Sequence, residues 1–139
     1  SLINALSCYT GIRLALISPD ELKIPDYIKD GVLKEKNIPW RETDNLEAAM
    51  PELDILYMTR VQKERFFNEA DYIRLKDSFI LDAEKMKNGR RDMIVMHPLP
   101  RVNEISVKVD DDPRACYFRQ VENGKFIREA LILYLLGLL

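Results

Sequence analysis

Glycine is scarce in this chain: five residues among 139, each standing alone. No G-x-G-x-x-G run and no Walker loop is present, which excludes a nucleotide cradle made of glycine backbone. One histidine and two cysteines, Cys8 and Cys116, are too few for a zinc set and form no disulfide framework, as fits a reducing, cytoplasmic setting. Both cysteines read as small buried hydrophobes. With no G-x-S-x-G elbow, any Ser-His or Cys-His catalysis would depend on His97 alone, and a histidine before a proline at a strand end reads as structural. Neither sign of charge dominates, with 21 Lys and Arg against 23 Asp and Glu. No basic stripe interleaved with aromatics occurs, so nucleic acid and acidic membranes are set aside as partners. The longest apolar stretch, residues 130–136, is too short to span a bilayer. Ser1 opens into an apolar run without the basic start of a secretory signal. These absences leave a small molecule or another protein as the partner.

What is present alternates between short apolar, β-rich runs and helical patterns. That alternation predicts one α/β domain over residues 1–139, with a doubly wound, mostly parallel sheet flanked by helices. Strands are expected at residues 12–17, 39–42, 54–58, 79–81, 93–96 and 115–118. Ser18-Pro19-Asp20-Glu21 and Asp44-Asn45-Leu46-Glu47 have capping-box spacing, and Asn68 and Asp82 offer two further caps. Gly89 reads as a left-handed helix stop. The last helix is expected from about Gln120 or Gly124 to Leu136, with apolar residues on more than one face. Leu2, Ile3, Leu6 and Tyr9 have helical spacing, yet no strand precedes them, although an α/β domain usually begins with one. The first strand, and something N-terminal to it, are therefore expected to be missing.

In open parallel sheets ligands sit beyond the carboxyl ends of the strands. Two strand exits stand out. The first is "DILYMTRVQKERF", where an extended chain would turn Arg60 and Gln62 to one side. Arginine offers a planar fork that matches a carboxylate, while Glu64 and Arg65 could brace the loop. A plain charged surface loop is the alternative for the same residues. The second exit is "MHPLPRVNEI". Pro98 and Pro100 have no N–H and cannot extend a ladder, so the carbonyls of Pro98 and Leu99 have few N–H partners at hand.

Together these two stretches and "DPRACYFRQVENGKFIREALIL" resemble the aspartate-binding half of aspartate carbamoyltransferases, in family order, from Ser1 to about Gly137. The related ornithine enzymes typically carry H-C-L-P at the second loop, where this chain has Pro98. Asn103 stands where many bacterial members have aspartate, a form similar to the eukaryotic-type enzymes. The resemblance implies a Rossmann-like fold and carbamoyl transfer from carbamoyl phosphate to L-aspartate, with no metal and no cofactor. It implies that Arg60 grips the aspartate carboxylates, that Gln62 orients the substrate, and that Glu64 and Arg65 hold a mobile loop closed. The carbonyls of Pro98 and Leu99 would meet the reacting amine or the carbamoyl group, with a cis peptide between Leu99 and Pro100. The family's "STRTR" and "GRTVH" segments are absent from these 139 residues. Carbamoyl phosphate would accordingly be held by a missing N-terminal domain, in a full enzyme that works as a homotrimer, and the chain alone would be inactive. A non-catalytic assembly module in a larger pyrimidine-pathway protein is the alternative.

Overall fold

The computed structural model describes residues 1–60, 68–75 and 79–138. Helix α1 (Leu2–Leu6) opens the chain, as its apolar spacing predicts. It leads through Gly11, at φ 75°, into strand β1 (Leu14–Ile17). Helix α2 (Asp26–Ile28) runs directly into one wide π turn (Lys29–Lys34) before strand β2 (Trp40–Thr43). Helix α3 (Leu46–Ala49) begins at Asn45, whose side-chain oxygen accepts from the Ala48 N–H at 2.9 Å. Strand β3 (Ile55–Tyr57), helices α4 (Glu69–Leu75) and α5 (Ala83–Met86), strand β4 (Ile94–Met96) and the long helix α6 (Tyr117–Leu135) complete the order. Asp82 caps α5 by accepting from the Lys85 N–H at 2.8 Å, and the Asn68 side chain accepts from the Ala70 N–H beside the start of α4. These caps are local: each short side chain satisfies an N–H that the first helical turn leaves free.

The fold is α/β with parallel strands, as expected, but the strands pair two by two. β1 pairs with β2 in the register Leu14↔Trp40 to Ile17↔Thr43, and β3 pairs with β4 from Ile55↔Ile94 to Tyr57↔Met96, both parallel. Among the described residues no ladder joins β1 to β3. Residues 79–81 contribute a single bridge, Leu81 to Ile105, in place of a strand. Residues 115–118 contribute only the bridge from Ala115 to Val95, because the chain is already helical at Tyr117. Helix α6 thus begins three residues before the earliest start read from the sequence. The cause is tertiary: Tyr117 is fully buried beneath β4 residues and anchors the first turn.

The core is centred on the β3–β4 pair, where Leu56, Met58 and Val95 meet Met50, Leu81, Met86, Met93, Ile105, Val109 and Tyr117. Unbranched methionines fill the irregular gaps between short elements. Gly89 does not adopt a left-handed turn. A Cβ there would sit 2.5 Å from the Met93 terminal methyl and 3.4 Å from that of Met50, so this glycine permits close packing. Cys8 is exposed and Cys116 only half-buried, against the expectation that both are buried. Among the described residues no helix is long and apolar enough to cross a membrane.

Candidate functional site

Parallel register decides where the two strand exits lie. Tyr57 is opposite Met96, and the Met58 N–H donates to the Met96 carbonyl at 2.8 Å, so β3 and β4 end in step at the same edge. Arg60 and Leu99 each follow the last paired residue of their strand by three positions (60 − 57 and 99 − 96). Arg60 is exposed. Gln62, Glu64 and Arg65 lie outside the described residues.

The turn after β4 has the form that the resemblance implies. The Leu99–Pro100 peptide is cis, and Leu99 itself has φ 46°. That left-handed conformation costs a residue with a Cβ about 1–2 kcal/mol, so the surroundings must hold it. Among the described residues neither the Pro98 nor the Leu99 carbonyl accepts a hydrogen bond, as expected of a backbone forced off the ladder by two prolines. Pro98 is exposed and Leu99 half-buried.

Beneath this turn lies a network that sequence reasoning missed. His97 is 1% exposed and Glu104 5%. The Leu99 N–H donates to His97 Nδ1 at 2.9 Å, so Nδ1 is the unprotonated ring nitrogen. The proton then resides on Nε2, which donates to Glu104 Oε1 at 2.8 Å. Burial raises the Glu104 carboxyl, but hydrogen bonds from its own backbone and the Val102 N–H, together with His97, outweigh burial and hold it below the usual glutamate range. The His97 backbone N–H, which faces away from β3 on the same side as that of Val95, donates to the Gln120 side chain at 2.9 Å, and Gln120 donates onward to the Tyr57 hydroxyl at 3.1 Å. Strand β3, strand β4 and helix α6 are thereby tied together at the root of the site.

The far side of the turn is held by Arg101. Its guanidinium donates to both Asp110 oxygens and, at 3.2 Å, to the Tyr117 hydroxyl, which also donates to Asp110. The guanidinium carbon lies 5.5 Å from the Tyr117 ring centre and 5.9 Å from that of Phe118. The hydrogen bond from Arg101 holds the Asp110 carboxyl below the ordinary aspartate range, and burial with the neighbouring Asp110 pushes Tyr117 up to about 12. Nothing in the linear order of Arg101, Asp110 and Tyr117, or of His97 and Gln120, signals that they meet. A shallow depression of about 540 Å³ between residues 7–13 and 36–39 lies at the amino ends of β1 and β2, the opposite end of the strands from a ligand crevice.

These features define a parallel α/β domain with Arg60 exposed after one strand and a cis-proline turn after its neighbour, at adjacent strand ends. The sequence model of the aspartate/ornithine carbamoyltransferase family, Asp/Orn binding domain, matches residues 1–135, and the chain belongs to that family. It is 66% identical over 137 residues to the aspartate carbamoyltransferase catalytic subunit of Lachnoclostridium phytofermentans, covering 99% of this chain and 45% of that protein. The same subunit of Clostridium botulinum strain Langeland is 60% identical, with the same coverage. The catalytic subunit of M. jannaschii aspartate transcarbamoylase superposes with a TM-score of 0.87 at 39% identity, covering 98% of this chain and 44% of that one. Aspartate transcarbamoylase from Trypanosoma cruzi in complex with aspartate and phosphate superposes at 0.84 and 36% identity, covering 95% of this chain and 44% of that one. The chain thus spans a little under half the length of these relatives.

Proposed function

We propose that this chain supplies the aspartate-binding part of an aspartate carbamoyltransferase that forms N-carbamoyl-L-aspartate and phosphate for pyrimidine synthesis. The observation that carries this reading is the in-step ending of β3 and β4, which brings Arg60 and the Pro98 and Leu99 carbonyls, unbonded among the described residues, to one edge of the domain. Arg60 binds the aspartate carboxylates and Gln62 orients the substrate, while Glu64 and Arg65 brace the loop between them. The aspartate amine attacks the carbamoyl carbon, forming a C–N bond. The tetrahedral adduct then expels phosphate as the C–O bond breaks, and a proton from the amine leaves with it. The oxygens of Pro98 and Leu99 accept from N–H groups of the reacting amine and the carbamoyl group, so catalysis rests on positioning and charge stabilisation. Carbamoyl phosphate is held by a domain outside these 139 residues, within a cytoplasmic homotrimer.

The test joins this chain to the carbamoyl phosphate domain of the Lachnoclostridium relative and measures steady-state kinetics. Arg60→Ala should raise the aspartate KM about 10- to 100-fold, the equivalent of one lost charged hydrogen bond of about 1.5–3 kcal/mol. An unchanged aspartate KM would remove Arg60 from this role. The 139 residues alone should not turn over, and turnover by them would refute the division of the site.

A further inference from the structure

We infer that His97, held by Glu104, is the positioning residue that aims the Leu99 carbonyl at the reacting amine. The inference rests on the function proposed above and adds to it a part of the site that does not touch substrate. Leu99 is a half-buried residue in the left-handed region, at φ 46°, followed by a cis peptide. Among the described residues its N–H has one acceptor, His97 Nδ1 at 2.9 Å. A neutral imidazole turned the other way about, or protonated on both nitrogens, would present N–H to N–H there and release the turn.

What prevents this is the opposite ring nitrogen. Nε2 lies 2.8 Å from Glu104 Oε1, in a site where both side chains are almost fully buried. The other Glu104 oxygen accepts from the backbone N–H groups of Val102 at 3.0 Å and Asn103 at 3.1 Å. That leaves Oε1 to fix the ring. The carboxylate therefore sets the tautomer, the tautomer makes Nδ1 an acceptor, and the acceptor holds the Leu99 N–H. Because a peptide unit is planar and each residue has two soft dihedrals, fixing the Leu99 N–H and its φ leaves only one rotation to orient the Leu99 carbonyl. The cation nearest this turn in sequence, Arg101, is taken by Asp110 and does not compete for Glu104.

His97 is the sole histidine of the chain, so a single imidazole signal reads the relay directly. In the unmodified protein, ¹⁵N-labelled at histidine, the ring should show protonated Nε2 and unprotonated Nδ1, and a protonated Nδ1 overturns the proposal. Two substitutions then separate positioning from mere support, measured in the chain joined to the carbamoyl phosphate domain of its relative. His97→Asn places its amide oxygen near the site of Nδ1 and keeps the Leu99 contact. His97→Gln reaches toward Glu104 but leaves the Leu99 N–H without an acceptor. Each loses one buried hydrogen bond, so both should lower Tm similarly. Since small misplacements at a reacting centre cost up to about a hundredfold, kcat should fall on the order of 10- to 100-fold in His97→Gln and within about threefold in His97→Asn, with the aspartate KM little moved in either. Equal kcat in the two variants, or kcat following Tm alone, overturns the proposal. Absent turnover in the unmodified assembly would defeat the carbamoyl-transfer reading instead, and the tautomer measurement would still report on the relay.

Discussion

Replacing Arg101 by methionine keeps an unbranched stem over Tyr117 and Phe118 and removes the guanidinium. The change deletes both hydrogen bonds to Asp110 and the one to the Tyr117 hydroxyl. Breaking a fully buried ion pair costs about 3–5 kcal/mol. Here the Arg101 side chain is 14% exposed and that of Asp110 27%, and Asp110 still accepts from Tyr117. Water and one remaining donor therefore compensate in part, and the expected loss is about 2 kcal/mol. Urea unfolding at pH 7, followed by far-UV circular dichroism, reads this loss, and Arg101→Lys should fall between the two because an ammonium cannot reproduce the two-pronged contact. The acid limb gives an independent check. The folded-state Asp110 carboxyl is held low, so its contribution is complete above the ordinary Asp pKa of about 3.9 and disappears as pH falls through the lower folded value. Arg101→Met should flatten that limb. A variant within about 0.5 kcal/mol of the parent at pH 7 would refute the reasoning, because that is the size of an ordinary exposed pair.

The next expectation concerns the third member of that cluster, and the others lie elsewhere in the molecule. Tyr117 is pushed up to about 12, so stability should be full below the ordinary tyrosine value of about 10 and decline as pH rises toward 12, a limb that Tyr117→Phe should remove. Gly89→Ala forces the buried Met93 terminus aside and should destabilise by about 1 kcal/mol in thermal melts, whereas at this ordinary φ an alanine in open space would be neutral or slightly stabilising. Helix α6 leaves Phe126, Ile127, Leu131, Ile132 and Leu135 exposed, and Leu136 just past its end is exposed as well. By sedimentation the 139 residues should self-associate at high concentration, and Leu131→Glu with Leu135→Glu should abolish association while changing stability by no more than about 0.5 kcal/mol. A clean monomer at high concentration would count against the reading of this face.

Local chemistry made much of this molecule legible before any coordinates. Asn68 and Asp82 cap helices because a short side-chain oxygen satisfies an N–H two or three residues away, and such contacts are written in adjacent letters; the box read from Asp44 is instead capped one residue later, at Asn45, and Ser18 makes no side-chain cap. The strand centres at Leu14–Ile17, Ile55–Tyr57 and Ile94–Met96 were visible as apolar runs. Pro98 and Pro100 announced that β4 must end and that two carbonyls would lack ladder partners. Arg60 and the turn at 98–100 stand out as candidates from their own loops, and the strand register puts both at the same edge.

Contacts between distant residues were a different matter. Gly89 looked like a helix stop because glycine usually serves backbone freedom, and only the packed Met93 and Met50 methyls reveal a demand for space. Residues 115–118 have strand-like composition, yet Tyr117 enters the core as the first residue of a helix, since burial of an aromatic outweighs a weak local preference. His97 was visible as a lone histidine before a proline. Its tautomer, its hold on Leu99 and its debt to Glu104 and Gln120 depend on side chains 7 and 23 positions away. Sequence by itself determined the family, the caps at Asn68 and Asp82 and the breaking of the ladder, because each follows from neighbouring residues or a contiguous motif. Tertiary structure alone decided the two-by-two strand pairing, the register that aligns both loops and the buried network beneath them, because those depend on which distant groups share the same few ångströms.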